Sequence, residues 1–195
     1  MTHITPRTRE ELTELEPFFQ AVEASMGFVP TSMLTMAHWP ELMPAFGGLG
    51  HTILGGGELE PGLKQLIAFA ASNAAGSRYC QAHTAHSAER NDISAEKIQA
   101  VFDFETSKLF TGRERAALRV AVHAGMVPNA VEPQHMTTLS EHFTARQVTE
   151  VVAVISLFGF LNRWNDTMAT TLESSPKSFA SEKLASLGWT AGRHD

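Results

Sequence analysis

Cysteine is almost absent from this chain: Cys80 is the only one among 195 residues. A single thiol excludes a disulfide framework and excludes a two-cysteine redox cycle within one chain. A long hydrophobic run is missing as well. The longest, Val151 to Leu161, is interrupted by Ser156 and Gly159 and falls short of the roughly 20 residues that cross a bilayer. Basic stretches are also lacking. Lysines and arginines are scattered singly and the formal net charge is −6, so no nucleic-acid partner is expected. The opening residues, Met1 to Glu11, carry charge but no apolar segment. No secretory leader and no membrane partner are therefore expected, and the cytoplasm is the expected location.

What the chain does have is helical pattern. Hydrophobic residues make up 43%, an ordinary globular proportion, and the length allows one sizeable core. The reading is a single all-α domain over residues 1–195, with a C-terminal arm from about Ser174 that packs on the domain or on a neighbouring subunit. Thr8 with Glu11, Thr111 with Glu114 and Thr144 with Gln147 have capping-box spacing, and each precedes a run of helical apolar periodicity. The first box predicts a helix through Leu12, Leu15, Phe18, Phe19 and Val22, ended by Gly27. Pro40, Pro61 and Pro133 suit the first turns of further helices, the one from Pro40 reaching about Ile53. Gly76 is placed to stop the Pro61 helix, and Ser77 to cap the next, through about Arg90. Asp92 or Ser94 caps a short helix after that, and the longest helix runs from Thr144 towards Leu172. Gly55-Gly56-Gly57 lacks the Lys-Ser/Thr ending of a phosphate loop and receives no nucleotide role.

One segment carries chemistry. With Ser77 as N-cap, Cys80 is the third residue of its helix, where free amides and the positive dipole end favour a thiolate. His83 lies one turn on, about 60° around the helix from Cys80, and is placed to assist the thiolate or to shuttle a proton. The same residues also fit a plainer reading: a small buried cysteine, a capping serine and a satisfied histidine. Cys80, His83 and His86 have metal-like spacing, but together they span about 9 Å along one helix, too far for one ion at ordinary bond lengths. No metal and no cofactor are expected.

The segments Leu63-Lys64-Gln65-Leu66-Ile67-Ala68 and Ser77-Arg78-Tyr79-Cys80-Gln81-Ala82-His83 resemble those of a known family. So do Gly27-Phe28-Val29-Pro30, Pro40-Glu41-Leu42 and Asn162-Arg163-Trp164-Asn165-Asp166. The chain resembles the alkyl hydroperoxidase D-like (AhpD-like) branch of the carboxymuconolactone decarboxylase family over most of its length. The resemblance implies an all-α AhpD-like helical bundle that forms homo-oligomers. It places Cys80 on the peroxide-reactive cysteine of the peroxidase members and Ser77 on their resolving cysteine. Gln65 falls on the glutamate of their proton relay and Thr84 on its histidine. Serine forms no disulfide, glutamine takes up no proton near neutral pH, and threonine is no general base.

Three functions are open on this basis. The first is a single-cysteine hydroperoxidase, an AhpD-like oxidoreductase with antioxidant activity. In it Cys80 attacks a peroxide, His83 is the proton partner, Ser77 is cap and donor, and an external thiol is the reductant. The second is a cysteine-independent lyase or isomerase acting on a carboxylated lactone. The third is a non-catalytic oligomer. Asn162, Arg163, Asn165 and Asp166 interrupt an apolar helix and are read first as groups that close the bundle, second as a pocket lining.

Overall fold

The computed structural model describes residues 2–195, and these are helical, with no strand among them. Helix α4 (Pro61–Ala74) is the centre of the bundle and packs against α5 (Arg78–Arg90), α7 (Gly112–Gly125) and α9 (Ala145–Met168). Leu66, Ile67, Ala68, Phe69, Ala70 and Ala71 of α4 are all buried, as expected of a helix enclosed on most sides. Alanine and glycine let the helices approach closely. A Cβ on Gly125 would lie 2.6 Å from the Ala71 carbonyl oxygen. Helix α8 (Pro133–His142) closes the α7 side, and α10 (Ser174–Lys183) covers α5.

The capping boxes predicted at Thr111 and Thr144 both form, and Ser94 caps α6 (Ala95–Gln99). The Thr8–Glu11 box opens only a short 3-10 turn. The first α-helix, α1 (Glu16–Met26), starts later and ends at Gly27. The stretch before Pro40 forms a helix that the pattern did not predict, α2 (Thr31–Met36). The helix expected from Pro40 begins at Leu42 as α3 (Leu42–Gly50) and continues as a π-helical turn, His51–Gly55. Leu12, Phe19, Met36, Met43 and Phe46 form a second, smaller core against Leu157 of α9.

The glycine loop has a structural task. The buried Glu150 carboxylate accepts hydrogen bonds from the amides of Glu58 and Leu59 at 2.9–3.0 Å, and Arg146 donates to it at 2.8 Å. Lys64 donates from Nζ to the carbonyls of Ile53 and Gly56. Gly57 has φ +91°, and a Cβ there would lie 2.4 Å from Glu150 Oε2.

Helix α9 ends at Ala169 in the left-handed conformation, earlier than Leu172. The tail then returns to this chain. Trp189 is buried, and its indole donates to the Arg78 carbonyl at 3.1 Å. The amide of Leu172 donates to the His194 carbonyl at 2.9 Å. These contacts bring the C-terminus to the first turn of α5.

Candidate active site

Gly76, at φ +76°, makes the turn into α5, and Ser77 follows in extended conformation as its N-cap residue. Cys80 is therefore the third residue of the helix, where the sequence placed it. Its surroundings differ from expectation. The sulfur is buried, with Cys80 2% exposed. Burial pushes the thiol up to about 12, and the hydrogen bonds of Ser77 and Asn165 offset only part of this, while the Asp166 charge adds to it. The expectation of a resting thiolate is thus corrected: at this depth desolvation outweighs the helix end.

The serine is also turned differently. Its side chain makes no cap hydrogen bond to the helix. It donates instead to Oδ1 of Asp166 at 3.0 Å. The same carboxylate oxygen lies 3.1 Å from Nε2 of His194, whose Nδ1 lies 2.8 Å from the Thr170 carbonyl oxygen. A carbonyl can only accept, so Nδ1 carries a hydrogen. Nε2 and Asp166 Oδ1 then bond only if a proton sits between them, on the ring or on the carboxyl. Asn165 donates from Nδ2 to the Leu161 carbonyl at 2.9 Å and approaches the sulfur at 3.5 Å. Its buried Oδ1 has no partner, nor has Oδ1 of Asn162.

His83 is committed elsewhere. Its Nε2 lies 2.6 Å from Glu173 Oε2, and no hydrogen bond joins it to the sulfur among the described residues. Tyr79 donates to Oε1 of the same carboxylate at 2.8 Å, and the Thr31 amide also donates to Oε1. Burial alone would raise Glu173. The His83 charge and its hydrogen bond, joined by the Thr31 amide, win and bring it down to about 2. Burial, then the Glu173 charge, raises Tyr79. The Tyr79 ring stacks on His83 with centroids 4.3 Å apart, and Phe28 meets His83 edge-on at 5.4 Å. The buried hydroxyl of Thr84 donates back to the Cys80 carbonyl at 2.6 Å, which removes it from any relay. Gln65 is half-buried on α4 and contributes no hydrogen bond to the sulfur.

The structure therefore gathers Ser77 and Cys80 with Asn165, Asp166 and His194, and groups His83 with Tyr79 and Glu173. Sequence reasoning missed Glu173 and His194, and ranked Asn165 and Asp166 first as bundle closure. The polar interruption at Asn162–Asp166 was the available signal. Nothing local marks Glu173 or His194. A cleft of about 280 Å³, lined by Asn162, Arg163, Asp166, Thr167, Met126 and Val127 among others, opens beside Asp166.

The profile of the carboxymuconolactone decarboxylase family matches residues 40–123, a span that holds Gln65, Ser77, Cys80, His83 and Thr84. The crystal structure of debrominase Bmp8 superposes with a TM-score of 0.87 at 36% identity, over 93% of this chain and 98% of that one. The chain belongs to the carboxymuconolactone decarboxylase family. Bmp8 is also known as a cysteine-to-alanine variant in complex with 2,3,4-tribromopyrrole, matching at 36% identity and a TM-score of 0.87 over 93% of this chain and 97% of that one. The uncharacterized protein YnjA of Escherichia coli (strain K12) is 31% identical over 110 residues, 56% of this chain. The chain spans about 60% of that relative's length. The AhpD core of a peroxidase-related protein from Ralstonia eutropha is similar in fold, with a TM-score of 0.74 at 24% identity over 91% of this chain and 96% of that one.

Proposed function

We propose that this protein is a thiol-dependent reductive dehalogenase of small brominated aromatic rings, with Cys80 as its single nucleophile. The observation that carries this reading is the state of the thiol: buried, protonated at rest, and without a second cysteine in the chain. Reductive debromination uses both halves of a thiol. A proton adds to the brominated carbon, a ring π pair forming the C–H bond. The thiolate sulfur then takes the bromine, and the C–Br pair returns to the ring. An external thiol displaces bromide from the S–Br bond to give a mixed disulfide. A second external thiol frees Cys80 and leaves as the external disulfide.

The debrominase Bmp8 supports the substrate class through its identity over nearly the whole chain. Asn165 supports a ring bearing N–H, because its unpartnered Oδ1 lies on the amide that approaches the sulfur. A thiol reductant fits a reducing compartment such as the cytoplasm. Exposed Trp39, Leu49, Val152 and Phe160 supply apolar surface for a homo-oligomer.

A second reading is a single-cysteine hydroperoxidase, favoured by Cys80 standing in the first turn of α5. There the thiolate cleaves the O–O bond, becomes a sulfenic acid and releases an alcohol, and external thiol reduces it. That reaction needs the thiolate from the start, which a buried neutral thiol supplies slowly.

The test is incubation with 2,3,4-tribromopyrrole and dithiothreitol, following bromide and the dibromopyrrole product. Bromide release that Cys80→Ala abolishes is the expected result, with deuterium at the vacated carbon in D2O. Cys80-dependent consumption of an alkyl hydroperoxide without bromide release would transfer the assignment to the second reading. Turnover of a carboxylated lactone that survives Cys80→Ala would remove both.

A further inference from the structure

We propose that the cleft beside Asp166 is the docking site of the external thiol, and that it selects a thiol carrying a carboxylate for Arg163 and an N–H for Asn162. The proposal rests on the reading above only in that an external thiol is consumed.

The starting observation is a buried amide without a partner. Asn162 is 5% exposed, lines the cleft, and has no hydrogen-bond partner at Oδ1 among the described residues. A buried acceptor left unpaired is costly, and a ligand N–H supplies the missing donor. Arg163 follows on α9 and lines the same cleft. It is exposed, and its Nη1 donates to the Gly159 carbonyl at 2.9 Å. No carboxylate pairs with it among the described residues. Its remaining N–H groups belong to a planar fork that fits a ligand carboxylate.

The sign of the charge agrees. Asp166 is the other charged residue lining the cleft, and its Oδ1 shares a proton with Nε2 of His194. Nδ1 of His194 already carries a hydrogen towards the Thr170 carbonyl. The carboxylate and the imidazole are therefore neutral together, whichever holds the shared proton, and Arg163 leaves the cleft positive. Met126, Val127 and Ile155 offer apolar wall to a short carbon skeleton, and a volume of about 280 Å³ suits a small molecule. The place also fits the reaction. Asn165 and Asp166 are consecutive on α9. Asn165 approaches the Cys80 sulfur at 3.5 Å, and Asp166 lines the cleft.

The test is a set of NMR titrations of the full chain carrying Cys80→Ala, which cannot exchange thiols and needs no bromopyrrole. N-acetyl-L-cysteine carries both recognition groups, 3-mercaptopropionate lacks the N–H, and N-acetylcysteamine lacks the carboxylate. N-acetyl-L-cysteine is expected to saturate. Its dissociation constant should be lower than that of 3-mercaptopropionate by about fivefold and than that of N-acetylcysteamine by about tenfold, the scale of one neutral and one charged hydrogen bond. Adding Arg163→Met should erase the second difference, and adding Asn162→Leu, which keeps the branched shape, should erase the first. Equal binding of the three thiols, absence of saturation, or variants that weaken all three in proportion would each overturn the proposal. Were Asn162→Leu to lose its cooperative thermal transition, the three thiols and the Arg163 variant decide alone. In the protein with Cys80 intact, Arg163→Met should raise the KM for N-acetyl-L-cysteine relative to that for dithiothreitol by about tenfold during bromide release. An unchanged ratio would overturn the docking role. Selective binding in a protein that releases no bromide would retire the dehalogenase reading and leave the site standing.

Discussion

The hydroxyl of Ser77 donates to Oδ1 of Asp166 at 3.0 Å, and this bond ties the first turn of α5 to the last turn of α9. It places a carboxylate behind the serine three residues before the single cysteine. It also means that replacing the sulfur alone leaves the rest of the site intact.

Cys80→Ala is accordingly expected to abolish thiol-dependent turnover while costing about 1 kcal/mol of stability, the scale of a small group lost from a packed interior. Urea denaturation and turnover measured on the same preparation check the separation. A loss of several kcal/mol would show the sulfur to be chiefly a packing group.

Alkylation of Cys80 in the folded protein should rise about tenfold per pH unit without levelling off below pH 10, because burial holds the thiol near 12. The sign of the linked stability follows. A group with a raised value in the folded state stabilises fully below its unfolded value, and that contribution is lost as pH rises from about 9 towards about 12. Denaturation midpoints measured between pH 8 and 11 should fall in the parent and fall less in Cys80→Ala.

Glu173 behaves in the opposite sense. Its carboxyl is lowered from 4.5 to about 2 by the His83 charge against the cost of burial. The stability it contributes is complete above about 4.5 and disappears as pH falls through about 2, a difference of about 3 kcal/mol. Glu173→Gln should flatten the acid limb of the stability profile. An acid limb as steep in Glu173→Gln as in the parent would show that the ion pair does not hold the carboxylate in solution.

Gly57→Ala should destabilise by about 2 kcal/mol, since a β-carbon meets the Glu150 carboxylate and φ is +91°. Glu150→Ala removes the collision but leaves the amides of Glu58 and Leu59 without their acceptor. The double variant should therefore lose less than the sum of the single ones. Strict additivity in thermal melts would count against the contact.

Much of this architecture was legible locally. The Thr111 and Thr144 boxes, Pro61, Pro133 and Ser94 name helix starts because they satisfy or dispense with free amides, which is short-range chemistry. The N-terminal region was read less well. Helix α2, lying between Pro30 and Pro40, is too short to show a period. The Thr8 box closes on its own glutamate around a 3-10 turn, without continuing into an α-helix.

The site divides in the same way. The sequence by itself determined that one sulfur stands in the first turn of a helix after a glycine turn, because spacing along a helix sets position on it. Only the tertiary structure decided what that sulfur is. Its burial, the carboxylate behind Ser77 and the pairing of His83 with Glu173 arise from segments about ninety residues away in the chain. The solvation and charge that govern a proton come from whatever packs around it in space, and no local pattern records those neighbours.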